Sequence, residues 1–264
     1  MTPGRIDTHH HFFPPAYLQR KRDEIIAMAP SHAVRVEGWS AARAVEAMDA
    51  AGIELAVASI APPGVWFGDV AESASLARIS NEYAARMIAD HRGRFGFFAA
   101  VPFADVDATL AEIAHAFDVL KADGVGLMTN YDGVWPGDPR FEPIFAELHR
   151  RQAVVYFHPV AAECCMGLLP GVAPATLEFP FDTARAVTSL MHAGIFARYP
   201  AIRFIFSHAG GALPMVAARL ASAMQRAKQE ICDAMPGGPF GQLRRLHYDV
   251  VNATHPMAFN AVRE

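Results

Sequence analysis

The sequence predicts an α/β fold built on a parallel sheet, and three observations carry that prediction. The chain has 264 residues, 52% of them hydrophobic and 19% charged, which is enough apolar material for a substantial core. Short apolar runs alternate with longer helix-like segments along the whole chain. The apolar runs lack the polar/apolar alternation of a half-exposed sheet, and this is typical of parallel strands covered by helices on both faces.

Seven apolar runs are predicted to form strands, and the segments between them are predicted to form helices. The strands start near residues 5, 54, 95, 124, 153, 202 and 246, and the helices cover 39–51, 73–90, 107–122, 141–151, 182–198 and 213–233. The first helix has the clearest limits, because Ser40 is a typical N-cap residue and Gly52 a typical C-terminal stop. No repeat or linker interrupts the pattern, so we expect one domain over residues 1–264.

Two parallel architectures compete, and the segment after the first strand favours one of them. A doubly wound open sheet places a glycine-rich phosphate loop there, whereas this chain has three histidines and then Pro14 and Pro15. A TIM (β/α)8-type barrel gathers its functional groups at the carboxyl ends of its strands, which matches the polar residues of this chain. Residues 252–264 can supply a seventh helix at most, so the barrel is expected to lack its eighth strand and to be C-terminally incomplete.

Composition and charge exclude several classes of protein. The formal net charge of −4 offers no global attraction for nucleic acid or anionic lipid. No window approaches the roughly 18 uninterrupted apolar residues of a membrane span, and Arg5 and Asp7 stand where a signal peptide would need apolar residues. Three cysteines cannot form a disulfide framework. We therefore expect a cytoplasmic protein with neither nucleic-acid nor membrane partners.

Four histidines at three predicted strand ends form the candidate metal site. His9 and His11 are two positions apart on the first strand, so their side chains are expected on one face. His158 ends the fifth predicted strand, and His208 follows the sixth. Each histidine alone could equally be a core or surface residue. Together they would meet at the carboxyl edge of a barrel, where imidazole nitrogens can bind a divalent metal.

Two further features of the sequence have competing interpretations. Asp249 lies within the last predicted strand, where a buried, hydrogen-bonded carboxylate is slightly favoured over a side chain that faces the barrel lumen. Cys164 and Cys165 are adjacent in a predicted loop. No general base is evident beside them, so a structural pair is favoured over a catalytic nucleophile.

The motifs DTHHH (residues 7–11), FHP (157–159) and FSHAGG (206–211) resemble those of the amidohydrolase superfamily. Residues 183–211 and 126–131 resemble most closely its decarboxylase branch, which includes aminocarboxymuconate semialdehyde decarboxylase and the 6-methylsalicylate-type decarboxylases. The resemblance covers essentially the whole chain. It implies that three histidines bind the metal, Zn²⁺ or alternatively Mn²⁺, and that a fourth is the catalytic acid/base; these are His9, His11 and His158 as ligands and His208 as the acid/base.

Two departures from the family pattern shape the metal prediction. The fourth strand and its loop read GVGLMTNY (124–131) and contain no lysine, so a lysine-bridged pair of metals is disfavoured and one metal is expected. The family completes the metal site with an aspartate after an eighth strand, which this chain does not reach. A truncated sequence is the preferred explanation, and Asp249 would be a poor substitute.

The resemblance implies non-oxidative decarboxylation of a small ortho-hydroxybenzoate-like or related unsaturated carboxylic acid. Two alternatives stay open: a metal-dependent hydrolase of a lactone or amide, and an inactive barrel fragment. Relatives are commonly oligomeric, so a homo-oligomer is expected. Aromatic residues in the loops are candidate pocket walls and two arginines are candidate carboxylate clamps: Phe12, Trp66, Tyr131, Trp135 and Phe179 for the walls, and Arg20 and Arg185 for the clamps.

Overall fold

The computed structural model of the protein describes residues 4–28, 33–226, 229–235, 237–251 and 253–263, with the side chains of 28, 229 and 232 left aside. Contacts between residues group the chain into two compact units, Met1–Leu127 and Met128–Glu264. Each unit is described by itself below, and a single domain over 1–264 stays a prediction.

Seven strands are present, and all seven predicted apolar runs contain one. They are β1 (Arg5–Phe12), β2 (Ile53–Ile60), β3 (Phe95–Ala100), β4 (Gly124–Met128), β5 (Val154–His158), β6 (Arg203–Phe206) and β7 (His247–Tyr248). Within each unit the strand order follows chain order, and neighbouring strands pair in parallel. The parallel α/β architecture is therefore confirmed. The last strand is short, since β7 consists of two residues that pair with β6.

Twelve α-helices surround these strands in the described part of the chain. They are α1 (Pro15–Met28), α2 (Ala33–Glu37), α3 (Ala41–Ala51), α4 (Val70–Asp90), α5 (Val106–Ala114), α6 (Glu142–Arg150), α7 (Pro174–His192), α8 (Ile195–Arg198), α9 (Leu213–Met224), α10 (Gln229–Asp233), α11 (Gly238–Leu243) and α12 (Pro256–Arg263). The predicted limits of α3 are confirmed, since the Ser40 side chain accepts the Arg43 N–H and Gly52 adopts φ 66°. None of the helices in these ranges is long and apolar enough to cross a membrane.

The predicted helices miss two helix starts, and prolines explain both differences. Helix α7 begins at Pro174, before the predicted helix 182–198. Helix α1 begins at Pro15, in a segment for which no helix is predicted. Proline is well tolerated in the first turn of a helix, where its missing N–H has no partner to lose. Pro180 lies inside α7, where proline is less usual.

The core of the first unit lies between its strands and the helices that follow them. Phe12, the last residue of β1, is 1% exposed and stacks on Tyr83 of α4 with the ring centroids 6.3 Å apart. Trp39 packs against both rings. The prediction that Phe12 lines a pocket is therefore wrong, because the end of β1 directs this side chain into the helical layer.

The core of the second unit is a stack of phenylalanines that aligns the ends of β5 and β6. Phe157 and Phe206 are opposite each other in the β5–β6 register, and their rings stack at 5.0 Å. Phe204 adds a third ring to the same stack. The next residue after Phe157 is His158, and His208 follows Phe206 by two positions. This packing therefore fixes where both histidines leave the sheet.

Candidate metal centre

The first unit brings His9 and His11 together on an irregular strand. Their ring centroids are 5.0 Å apart, as expected for residues on one face. The β1–β2 register shifts between Asp7 and His10, so β1 contains a bulge that regular alternation did not predict. Asp7 stabilises this bulge, because its carboxylate accepts the His9 N–H at 2.9 Å and contacts His10 Nδ1 at 3.2 Å. Bulges commonly re-aim side chains beside functional sites.

Burial and hydrogen bonding shift the pKa of Asp7 in opposite directions. Burial raises the pKa of this carboxyl, but the hydrogen bonds from the His10 side chain and the His9 backbone outweigh it and hold the pKa below its usual value. The carboxylate is therefore ionised at neutral pH. It serves as an acceptor that holds the histidine motif in shape.

Two groups of Ser59 in β2 orient the ring of His11. His11 Nδ1 lies 3.4 Å from the Ser59 carbonyl and 3.4 Å from the Ser59 hydroxyl. The carbonyl can only accept a hydrogen bond whereas the hydroxyl can donate or accept one, so Ser59 holds the ring in place with either tautomer. Metal-binding histidines are commonly oriented in this way by a backbone carbonyl.

The second unit brings His158 and His208 together. Their ring centroids are 5.1 Å apart at an interplanar angle of 75°, and their ligand nitrogens lie within 4.8 Å of one another. His158 is the last residue of β5 and is 4% exposed. Its Nδ1 lies 2.8 Å from the Pro159 carbonyl. A carbonyl oxygen can only accept a hydrogen bond, so Nδ1 carries the proton and the lone pair is on Nε2. The ring of Phe179 meets His158 edge to face at 5.9 Å.

His208 stands on an unusual left-handed turn at the end of β6. The four residues 208–211 have φ values of 54°, 54°, 74° and 60°. The first two are His208 and Ala209, and a left-handed backbone costs a residue with a Cβ about 1–2 kcal/mol. Strained backbone of this kind is often found at functional sites. The sequence indicated a bend from the two glycines but gave no sign that the turn starts at the histidine.

Asp249 stabilises this turn by accepting hydrogen bonds from its backbone N–H groups. Its Oδ1 accepts the His208 N–H at 2.8 Å and the Val251 N–H at 3.0 Å, and its backbone carbonyl accepts the Ala209 N–H at 3.1 Å. Asp249 is 8% exposed, and the Tyr156 hydroxyl lies 3.5 Å from Oδ2. The interpretation of Asp249 as a buried, hydrogen-bonded carboxylate is confirmed.

A second buried carboxylate, Asp182, organises the end of β4 and was missed by the sequence analysis. It is fully buried on α7 and accepts hydrogen bonds from the side chains of Thr129, Asn130 at 2.7 Å and Trp135 at 3.1 Å. These donors lie about fifty positions away in the chain, so no local pattern reveals them. The indole N–H of Trp135 is therefore hydrogen-bonded to the Asp182 carboxylate on α7.

Exchanging Asp182 for asparagine is expected to lower the free energy of unfolding by about 2–3 kcal/mol, because the new amide would direct N–H groups at buried donors. Denaturant unfolding followed by tryptophan fluorescence measures this change, and Trp135 makes the signal sensitive to the site. Asp90→Asn, at an exposed helix end, is the matched control and should shift stability by less than about 0.5 kcal/mol. Equal stability of the two variants would show that the network contributes little.

The remaining predicted wall and clamp residues have different surroundings. Tyr131 is buried, which raises the pKa of its hydroxyl, and that hydroxyl accepts the Met128 N–H at 3.0 Å. Arg20 pairs with Glu72 in the first unit, at 3.3 Å. Arg185 extends one guanidinium nitrogen to within 3.5 Å of Asp182. Among the predicted wall residues, Phe179 contacts a site histidine, because its ring meets that of His158 edge to face.

Among curated proteins, the chain is similar to decarboxylases. It is 33% identical over 257 residues to decarboxylase yanB of Aspergillus niger, which covers 93% of this chain and 68% of that protein. It is 32% identical over 272 residues to 6-methylsalicylic acid decarboxylase of Penicillium expansum, which covers 99% and 81%. The predicted resemblance to this branch is confirmed.

Solved structures of decarboxylases share the fold. A 2,6-dihydroxybenzoate decarboxylase complexed with 2,6-dihydroxybenzoate superposes with a TM-score of 0.83 at 21% identity, covering 98% of this chain and 84% of that chain. The 5-carboxyvanillate decarboxylase LigW2 of Novosphingobium aromaticivorans, with bound manganese, gives 0.84 at 25% identity, covering 98% and 82%. The predicted fold class, an α/β fold of the TIM (β/α)8 type, is confirmed, and no eighth strand follows β7 within residues 253–263.

A family model provides the most direct assignment. The model that describes amidohydrolases, Amidohydro_2, matches residues 6–237. This range contains the histidines of both units and the turn that carries His208. By this match, and as its histidine motifs predicted, the chain belongs to the amidohydrolase family.

Proposed function

We propose that this protein is a metal-dependent carboxy-lyase that releases CO2 from a small aromatic acid with a hydroxyl group ortho to the carboxylate. The observation that carries the proposal is the paired arrangement of His158 and His208 at the ends of β5 and β6. Relatives at 32–33% identity that are decarboxylases support the reaction type.

The metal ligands proposed are His9, His11 and His158, with Zn²⁺ or Mn²⁺ as the ion. The donors fit such an ion, because imidazole nitrogens bind either metal. His158 is anchored to the Pro159 carbonyl through Nδ1, so Nε2 is the donor that it offers, and Ser59 orients the ring of His11. When bound, the cation supplies positive charge that holds an acidic oxygen of the substrate. The manganese bound by 5-carboxyvanillate decarboxylase LigW2 supports Mn²⁺ as an alternative to Zn²⁺.

His208 is proposed to deliver the proton that the reaction requires. Direct loss of CO2 from an intact aromatic ring would leave an unstabilised carbanion. Protonation of the carbon that carries the carboxylate avoids this, because the C–C bond then breaks as the ring regains its aromaticity. The net change is one carboxylate and one proton converted to one C–H bond and CO2. An imidazole suits the transfer, since its ordinary pKa is near working pH and solvent can restore its proton.

The surroundings of the histidine pair favour an aromatic substrate. The rings of Phe179 and His158 meet edge to face at 5.9 Å, and Phe179 is largely buried. A planar substrate ring can pack on such an aromatic wall while its polar groups face the histidines. The orientation of the substrate then comes from a few polar contacts, and the wall helps to keep water from the reacting carbon.

The proposal is tested with metal-loaded protein and two substrate panels. We expect CO2 release and an equal amount of phenolic product from one or more ortho-hydroxybenzoates, including salicylate, 6-methylsalicylate and 2,6-dihydroxybenzoate. A chelator should abolish this activity, and added Zn²⁺ or Mn²⁺ should restore it. Turnover of lactones or amides with every acid inert would assign hydrolysis instead, and inertness of both panels would favour a non-catalytic protein. A homo-oligomer, a cytoplasmic location and the absence of nucleic-acid and membrane partners stay predictions.

A further inference from the structure

A pair of adjacent thiols lies outside the proposed chemistry. Cys164 and Cys165 belong to the 3-10 turn Glu163–Cys165, in the segment between β5 and α7. Both are free cysteines, and Cys164 is exposed while Cys165 is half-buried. Their sulfurs are 3.2 Å apart, so both point to the same side of the turn. Backbone hydrogen bonds from Cys165 to Ala162 and from Met166 to Glu163 hold the turn in this form.

The geometry of neighbouring residues disfavours a stable disulfide between these cysteines. Consecutive Cα atoms across a trans peptide are about 3.8 Å apart. Disulfides usually need Cα atoms about 4.4–6.8 Å apart, and shorter spacings strain the bond and make it easy to reduce. The pair is therefore held as two thiols with a fixed, short separation.

We propose that Cys164 and Cys165 form a chelating dithiol site for a trivalent arsenical. Thiols select soft centres over hard ones. If each sulfur bonds the bound atom at about 2.3 Å, the distance of 3.2 Å between the two sulfurs corresponds to an S–atom–S angle of only about 90°. This is well below the tetrahedral angle of a structural zinc site. It fits the pyramidal bonding of trivalent arsenic, whose bonds lie nearer to a right angle.

Arg185 supplies the charge that such a site uses. One of its guanidinium nitrogens is 3.7 Å from Cys165 Sγ, and a nearby cation favours the thiolate that attacks. The hydrogen bond shared with Cys164 raises the pKa of the Cys165 thiol. An arsenoxide then condenses with the pair: two As–S bonds form, the As=O bond breaks, and the two thiol protons leave in one water molecule. No oxidant or reductant takes part.

Phenylarsine oxide is the probe, and intact-mass spectrometry counts the adducts. We expect one adduct per wild-type chain that survives an excess of 2-mercaptoethanol and is removed by 2,3-dimercaptopropanol. The second As–S bond is intramolecular, so Cys164→Ser and Cys165→Ser should each weaken binding by about 100-fold or more. Both single variants should lose their adduct to the monothiol. Cys232→Ser, which leaves both members of the pair in place, is the matched control and should bind as the wild type does.

Three results of the adduct assays, and a fourth from peptide mapping, would overturn the proposal. One is a wild-type adduct that 2-mercaptoethanol removes, and another is a single-serine variant that keeps its adduct under the same treatment. The third is loss of the adduct in Cys232→Ser. Digestion of the wild-type adduct and mass mapping of the modified peptide gives an independent readout that needs no variant. Arsenic on any peptide without residues 164–165 would also contradict the site.

Discussion

Replacing His208 with asparagine is expected to lower kcat for decarboxylation by about 10²- to 10⁴-fold, the usual contribution of a positioned acid/base, while the protein keeps its metal. Asparagine is the informative substitution because His208 has φ 54°, and asparagine tolerates this left-handed conformation better than most residues do. The turn at 208–211 is therefore preserved, and only the group that carries the proton is lost.

Metal content and CO2 release together test this assignment. His247→Asn, at the exposed start of β7, is the matched control and should keep both its metal and its kcat. His158→Ala should lose metal and activity together, since it removes a proposed ligand. A His208→Asn protein with wild-type kcat would refute the acid/base role. Loss of metal from that variant would make His208 a ligand instead.

The sequence predicted β2 to β6 well because each is a short apolar run, and such runs indicate burial. Strand β1 reads RIDTHHHF and is only weakly apolar, so its histidine motif identified it rather than its hydropathy. The sequence also located His158 and His208, since a histidine that follows an apolar run must lie at the carboxyl edge of a parallel sheet. The helix starts at Pro15 and Pro174 were less predictable, because proline is compatible both with a loop and with the first turn of a helix. A single sequence does not distinguish these two uses.

The parts of the site that the sequence did not reveal depend on long-range contacts. Asp182 binds donors about fifty residues away, and Asp249 binds the His208 N–H across 41 positions. The bulge at Asp7 is likewise set by pairing with β2. Local patterns indicate which residue types are present and on which element. They do not specify which buried acceptor each donor finds.

Asp249 shows how such a contact could control the chemistry. Its carboxylate is the acceptor for the His208 and Val251 N–H groups, and its carbonyl accepts the Ala209 N–H. These bonds compensate for a turn that begins with two left-handed residues that carry a Cβ. We infer that Asp249 is a positioning residue, which acts on the reaction through the backbone of His208.

Asp249→Ala is therefore expected to lower kcat by about 10²-fold, the effect of roughly 1 Å of misplacement. It should also lower the free energy of unfolding by about 1–3 kcal/mol, because two part-buried N–H groups lose their acceptor. Asp249→Asn retains an oxygen that can accept both bonds, so it should recover most of each loss. Steady-state kinetics, urea unfolding and metal analysis of both variants separate this role from the alternative of direct metal binding. A metal ligand would require the negative oxygen, and Asp249→Asn would then lose metal as Asp249→Ala does. Recovery of kcat in the asparagine variant with metal bound in both would instead assign Asp249 to the backbone of the turn.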